Sequence, residues 1–263
     1  MKVYFDNAAT TPLHPKVFET MKKYLTENFG NPSSTHSFGR SARVIIEETR
    51  ELIASFINAN PSEIYFTSGG TESNNFIVSG VAQSNYFESN RKVIVTSNAE
   101  HNCVSNSCKE LEKNGYQIEW LEVDSSTKID INDINKKISN ETSIISLIHV
   151  NNETGSFNPI QDIGKLFDDK NLFFHTDAVQ SFGKYKLDVK ELKIDCLSAS
   201  AHKINGPKGV GFAYVKSGTP IKSLIFGGPQ ERNRRGGTEN VAGIAGFAEA
   251  VRYSQENLSD SHN

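Results

Sequence analysis

Residues 64–75 read Ile-Tyr-Phe-Thr-Ser-Gly-Gly-Thr-Glu-Ser-Asn-Asn, a short β-branched and aromatic run followed at once by a Gly-Gly-Thr turn. A run of this length and type is a buried strand. The glycines supply a tight turn, and Thr71 is placed to cap an amphipathic helix over Glu72–Gln83. Such a strand-to-helix unit has meaning for the fold only if it recurs, and it does. Apolar runs follow at Val93–Thr96, Ile118–Val123, Ile144–Val150, Leu172–Thr176, Asp195–Ser200 and Val210–Val215. Helical periodicity occupies His14–Asn28, Gly39–Ile57, Asn102–Asn114, Ile131–Ile138, Ile160–Asp168 and Val241–Asn257. Continuously apolar strands separated by helices predict an α/β fold, a mostly parallel seven-stranded sheet between helices. In such folds ligands bind beyond the carboxyl ends of the strands.

Composition narrows the classes of function. The chain has 263 residues, with 28 basic and 31 acidic side chains and a formal charge of −3, which argues against a dedicated nucleic-acid binder. An aromatic content of 10% with so small a net charge argues against disorder. No apolar run approaches the length of a bilayer span. The opening Met1-Lys-Val-Tyr-Phe-Asp lacks the apolar region of a secretory signal, so a soluble, cytoplasmic protein is expected. Three cysteines, Cys103, Cys108 and Cys196, are too few for a disulfide scaffold.

The residues just after the strands carry chemistry. Five strand ends are expected to direct Thr71, His101, Asn152, Asp177, Gln180, Ser200, His202 and Lys203 toward one rim. The Gly69-Gly70-Thr71 turn lets backbone amides approach an anion at a helix N-terminus, although alone it is equally an ordinary capped turn. It lacks the lysine of a nucleotide P-loop, so a single phosphate suits it better than a nucleoside triphosphate. Lys203 follows a run of small residues and precedes a Gly-Pro turn. In a semi-enclosed site such a lysine can lose its charge and serve as nucleophile or base; elsewhere it is a solvated surface charge. Asp177 ends a strand that reads as buried, where a carboxylate needs a cationic partner, and a protonated pyridine nitrogen would serve. A lysine, an acidic partner and an anion-binding turn together satisfy what pyridoxal 5'-phosphate asks of a protein.

Competing sites are less well supported. His101, Cys103 and Cys108 lie close together, but no second Cys/His pair follows at zinc spacing. No G-x-S-x-G elbow supports a Ser–His–Asp hydrolase. Arg232, Arg234 and Arg235, flanked by glycines, read as a mobile loop that meets an anion.

The quoted segments resemble the cysteine desulfurases of the class V aminotransferase group, pyridoxal-phosphate enzymes of fold type I. The resemblance is carried by Tyr4-Phe-Asp-Asn-Ala-Ala-Thr-Thr-Pro, Gly30-Asn-Pro-Ser-Ser-Thr-His and Phe66-Thr-Ser-Gly-Gly-Thr-Glu-Ser-Asn-Asn. It continues through Glu100-His, Val150-Asn-Asn-Glu-Thr-Gly, His175-Thr-Asp-Ala-Val-Gln and Ser200-Ala-His-Lys-Ile-Asn-Gly-Pro-Lys-Gly. Gly227-Gly-Pro-Gln-Glu-Arg and Arg235-Gly-Gly-Thr-Glu-Asn complete it, in family order over nearly the whole chain.

The resemblance implies that Lys203 carries the cofactor and moves the substrate α-proton, and that Asp177 holds the pyridine nitrogen protonated. Gln180 and Asn152 would meet the ring's phenolic oxygen, and His101 would stack on the ring. Gly70, Thr71, Ser200 and His202 would bind the phosphate, with Thr238 reaching it from the second subunit of a homodimer. The implied reaction converts L-cysteine to L-alanine, with sulfur passed on as a persulfide to an iron–sulfur scaffold or other acceptor. Residues 1–30 are expected to form a segment packing near the active site and 31–263 the cofactor-binding large domain. The family's nucleophilic cysteine and carboxylate-gripping arginine belong to a C-terminal small domain expected to be absent here. None of the three cysteines matches that nucleophile, and structural roles are expected for all three, although a helix N-terminus at Cys103 and Cys108 can lower a thiol pKa. The chain is therefore read as part of a desulfurase, as a shortened homologue with partial chemistry, or as a non-catalytic dimer partner or sulfur-relay module.

Overall fold

The computed structural model describes residues 1–167 and 172–258. Its helices are α1 (Pro15–Thr26), α2 (Ser37–Phe56), α3 (Gly70–Ser89), α4 (Asn102–Lys113), α5 (Ile131–Lys137), α6 (Ile160–Lys165), α7 (Gln230–Asn233) and α8 (Val241–Leu258). The strands are β1 (Ile64–Thr67), β2 (Val93–Ser97), β3 (Gln117–Leu121), β4 (Thr142–Ile148), β5 (Phe173–Asp177), β6 (Cys196–Ser200) and β7 (Gly211–Val215). They form one sheet in the order β1-β7-β6-β5-β4-β2-β3, with β7 antiparallel to both neighbours and the other pairings parallel. Because β7 reverses twice, β1 runs in the same direction as β6, and six strands end at one rim. The expected α/β architecture is present.

Both faces of the sheet are covered, as the uninterrupted apolar runs require. Successive strand residues point to opposite faces, and the two cores divide accordingly. Val95, Ile145, Leu147, Leu197 and Phe212 join residues of α1, α2, α5, α6 and α8 in one core. Ile94, Ile144, Cys196 and Ala213 join Phe76, Ile77, Val81, Val104 and Leu111 of α3 and α4 in the other. Toward the rim, the α3/α4 face turns polar without becoming exposed: Thr96, Ser146, His175, Asp177, Ser198 and Ser200 are all buried.

Two elements depart from expectation for identifiable reasons. α3 opens at Gly70 with Gly69 at its N-cap, so that Thr71 lies in the first turn instead of capping it, and runs on to Ser89, past Gln83. Asn85 is buried and its amide reaches the carbonyl of Ser143, and Asn90 in the left-handed conformation ends the helix instead. α6 closes at Lys165; Asp168, its expected end, lies outside the described residues.

The arginine-rich loop is fastened down, contrary to the mobile loop expected from its glycines. Glu231 and Arg50 are both buried, 4% and 2% exposed, and paired through both guanidinium nitrogens at 2.8 and 3.0 Å. Glu231 also accepts the Phe66 amide of β1 at 2.9 Å. Arg235 meets Glu72 of α3 at 2.9 Å, and Glu239 meets Arg43 of α2 at 2.7 Å. These ties hold Glu231, Arg232 and Asn233 at φ of 42°, 54° and 63°, a left-handed run without glycine. Glu231→Ala removes the bidentate pair and the Phe66 acceptor while Arg50 keeps Glu47 at 3.0 Å and the Ile64 carbonyl, so unfolding stability is expected to fall by about 1.5–3 kcal/mol. A shift in the urea midpoint equivalent to less than about 1 kcal/mol would place the pair with ordinary surface bridges.

Candidate functional site

Beyond the carboxyl ends of β1, β2, β4, β5 and β6 lies a cleft of about 590 Å³. Nine of the ten residues expected at the site line it: Gly70, Thr71, His101, Asn152, Asp177, Gln180, Ser200, His202 and Lys203. The tenth, Thr238, lies in a separate cavity of about 90 Å³ with Thr67, Ser68, Gly209 and Asn240.

The anion-binding end is built by backbone. Gly69 has φ of 145°, a conformation that only glycine adopts readily. At Gly70 a Cβ would come within 2.6 Å of Val179 Cγ2, so only glycine lets the chain lie this close. The first amides of the 20-residue α3 have no partner within the helix and carry its favourable dipole. Ser200 Oγ stands 3.7 Å from where a Gly69 Cβ would be. His202 Nδ1 lies 3.1 Å from Thr10 Oγ1, and burial lowers its pKa.

Asp177, 3% exposed, lies at the end of β5, opposite Ile148 of β4 and Ser198 of β6. Its carboxylate accepts the Val179 amide at 2.9 Å and the Asn74 side-chain amide at 2.7 Å. These are neutral donors. Among the described residues no cation hydrogen-bonds it, and burial raises the carboxyl's pKa, with the Lys203 charge acting the other way. Asn74 is held in turn by Ser198 Oγ, which donates to its carbonyl oxygen at 2.5 Å.

Lys203 closes the short turn Ala201–Lys203 after β6. Its Nζ donates to the carbonyls of Ala8 and Ala9, the latter at 2.8 Å. Burial lowers its pKa, opposed by the charges of Asp177 and Asp6, so more of the neutral amine is present than on a solvated lysine. Gln180 Nε2 donates to the same Ala8 carbonyl at 2.9 Å, while its Oε1 accepts from Lys184. Asn152 Nδ2 donates to Glu153 at 2.7 Å. His101 caps α4, and its Nδ1 accepts the Cys103 amide at 3.2 Å, which puts the proton of the neutral ring on Nε2.

Several contributors escaped the reading of strand ends. Asn74 lies one helical turn after Gly70 on α3, which is buried around much of its circumference and not the amphipathic helix expected; a polar residue beside Phe76 and Ile77 is the one signal it offers. Asp6, Ala8 and Ala9 line the cleft from a segment with no regular structure, which offered no periodicity to read.

The thiols are raised rather than lowered, in keeping with the structural roles expected of them. Cys103 also lines the cleft, but burial pushes its thiol up to about 11, with the Asp177 carboxylate acting in the same direction. Burial likewise pushes Cys108 up to about 12 and raises Cys196.

An amine, a buried carboxylate lacking a cation and a glycine-opened helix N-terminus suit a phosphorylated ligand with a carbonyl group and a basic ring nitrogen. This combination on a mostly parallel α/β sheet defines a class, the fold type I pyridoxal-phosphate proteins. The sequence pattern of the aminotransferase class-V family matches residues 3–262, and the chain belongs to that family. It is 51% identical to the cysteine desulfurase IscS of Dictyoglomus turgidum over 253 residues, covering 96% of this chain and 64% of the relative. It is 42% identical to the human cysteine desulfurase, covering 99% of this chain and 57% of the relative. The chain thus spans less than two thirds of the length of these relatives. Among solved structures, a NifS-like protein superposes with a TM-score of 0.95 at 40% identity, covering 99% of this chain and 72% of that one. A structure described as SspA in complex with cysteine superposes at 0.92, also at 40% identity, with 96% and 73% covered. Class-V aminotransferases and cysteine desulfurases depend on pyridoxal phosphate, and Asp177 and the Gly70 cradle fit that group.

With its thiol held protonated, Cys103 is expected to react with iodoacetamide at neutral pH far more slowly than a free cysteine. Cys103→Ser is expected to leave cofactor uptake unchanged. Rapid alkylation of Cys103 in the folded chain, located by peptide mapping, would contradict that assignment.

Proposed function

We propose that this chain carries the cofactor site of a cysteine desulfurase, an enzyme that converts L-cysteine to L-alanine and passes the sulfur on as a persulfide. The observation that carries the proposal is the meeting of Lys203, Asp177 and the Gly69–Thr71 helix terminus in one cleft. Relatives named cysteine desulfurase support it, as does a neighbouring structure described with cysteine.

In this reading Lys203 would hold the cofactor through its carbonyl carbon, and the same amine would move the proton at the substrate Cα. Its lowered pKa suits both tasks. Asp177 would hold the ring nitrogen in its protonated form, a cation suited to a buried carboxylate. The cofactor, when bound, supplies an electron sink for the pair left at Cα. Gly70, Thr71, Ser200 and His202 hold the phosphate, Gln180 and Asn152 orient the ring's phenolic oxygen, and His101 covers a ring face. Cys103, Cys108 and Cys196, all raised above the ordinary thiol range, are not assigned to attack the substrate sulfur. The accepting thiolate then comes from outside the described residues.

The proposal extends to organisation and setting. Residues 1–30 pack near the cleft, as the carbonyls of Ala8 and Ala9 against Lys203 suggest, and 31–263 form the large domain. A homodimer would bring Thr238 of one copy to the phosphate of the other, in keeping with its separation from the cleft of its own chain. An iron–sulfur scaffold or other sulfur acceptor is the expected partner. Three free thiols suit the reducing cytoplasm, and no helix among the described residues is long and apolar enough to cross a membrane.

The test is spectroscopic first. The chain mixed with pyridoxal phosphate is expected to turn yellow, and Lys203→Ala to remove the band. Release of sulfide from L-cysteine with reductant, assayed with the complete protein, is expected to fall at least about 100-fold in Lys203→Ala. A wild-type chain that stays colourless in excess cofactor would sink the proposal.

A further inference from the structure

Glu100 has no role in the chemistry above, yet it sits directly behind the cleft, next in the chain to His101, which lines it. Its Oε1 accepts the Ser97 hydroxyl at 2.6 Å and the Ile148 amide at 3.0 Å. Ser97 ends β2 and Ile148 ends β4, neighbouring parallel strands. One carboxyl oxygen therefore bridges the two strand ends from which His101 and Asn152 are suspended. His101 is the next residue along the chain, and Asn152 lies four residues beyond Ile148.

A second tie joins the same loops. Asn151 donates its side-chain amide to the Ala99 carbonyl at 2.9 Å and accepts the backbone amides of Glu153 and Thr154. The His149 amide adds a bond to the Asp177 carbonyl at 3.0 Å. The turn after β2, the turn after β4 and the end of β5 thus form one hydrogen-bonded frame.

The other oxygen of Glu100, Oε2, is buried without a partner. Burial pushes the carboxyl up to about 8, and the nearby Asp177 charge acts in the same direction. Its electrostatic neighbours are Asp177 from β5, with Cys103 and Cys108 from α4. None of them is a cation. A protonated Glu100 keeps a second negative charge away from Asp177, whereas ionisation would set two buried carboxylates in opposition.

We propose that Glu100 is a positioning residue whose carboxyl staples the ends of β2 and β4, and so sets His101 and Asn152 at their places around the cleft. The cofactor consequence rests on the proposed reading of the cleft; the staple itself does not. Glu100→Gln keeps an acceptor for Ser97 and Ile148 but cannot ionise, and Glu100→Ala removes the bridge.

Two measurements test this. In the chain without cofactor, amide hydrogen exchange over residues 98–103 and 148–152 is expected to quicken about tenfold or more in Glu100→Ala and to stay near wild type in Glu100→Gln. With pyridoxal phosphate bound, the visible circular dichroism of wild type is expected to step near pH 8, and Glu100→Gln to lose that step. A purely structural glutamate would not move the second readout. Unchanged exchange in Glu100→Ala, or a step retained in Glu100→Gln, would overturn the proposal. Should Glu100→Ala fail to fold, Ser97→Ala, which removes one of the two bonds, is expected to quicken exchange in both segments; unchanged exchange there overturns it equally. If wild type takes up no cofactor, the reading of the cleft fails while hydrogen exchange still decides the staple.

Discussion

A carboxylate at the end of a central strand, 3% exposed and held only by neutral donors, sets the terms for the structure around it. A buried charge of this kind is costly unless it is hydrogen-bonded and offered a cation. Asp177 is supplied with the first condition by the chain. The Val179 amide and Asn74 hold its two oxygens, and Ser198 holds Asn74. The second condition is left to whatever enters the cleft. The polar row on the α3/α4 face follows from the same requirement. Ser146 meets His175 Nδ1 at 2.8 Å and Thr96 donates to the Ser146 carbonyl at 3.0 Å, while His175 Nε2 stays buried without a partner.

The electrostatics of the cleft are therefore divided between residues of opposite disposition. Burial lowers Lys203 toward its neutral form and raises Asp177, Glu100 and Cys103 toward theirs. Each group is biased toward lower charge, as a semi-enclosed site demands. A ligand carrying a phosphate, a carbonyl and a protonated ring nitrogen would suit these groups: an anion for the helix terminus, an electrophilic carbon for the amine and a cation for the carboxylate. The same burial that makes Lys203 useful makes Cys103 a poor nucleophile, although both line one cavity.

Order in the loops comes from ion pairs as much as from packing. Arg50–Glu231 is enclosed and bidentate, and it fixes three consecutive left-handed residues in a segment whose glycines suggest freedom. Thr238 is consequently held at the surface near Ser68, away from the cleft of its own chain. The N-terminal segment is ordered differently: Thr11 bonds the carbonyl of His202 through its amide and hydroxyl, and Ala8 and Ala9 receive Lys203. Extended backbone with few apolar contacts is thereby drawn to the cleft by hydrogen bonds to the turn that carries the lysine.

By itself the sequence determined the architecture, because continuous apolar strands between amphipathic helices have few ways to bury both faces of a sheet. It also determined which residues gather at the rim, since strand ends in such a sheet must lie together; Lys203, Asp177 and Thr71 could be named from position alone. The family was legible for the same reason, as its motifs are these strand ends. Long-range partners were not legible. Nothing local pairs Asp177 with Asn74, 103 residues away, or Arg50 with Glu231, 181 residues away, or brings Ala8 to Lys203 across 195. Nor could a helix terminus tell that Cys103 would be raised, because burial and the Asp177 charge, which push the thiol up, are set by the tertiary fold. Hydrogen bonds and desolvation depend on distances that only the closed fold sets, and it was there that the protonation states of the cleft and the place of Thr238 were decided.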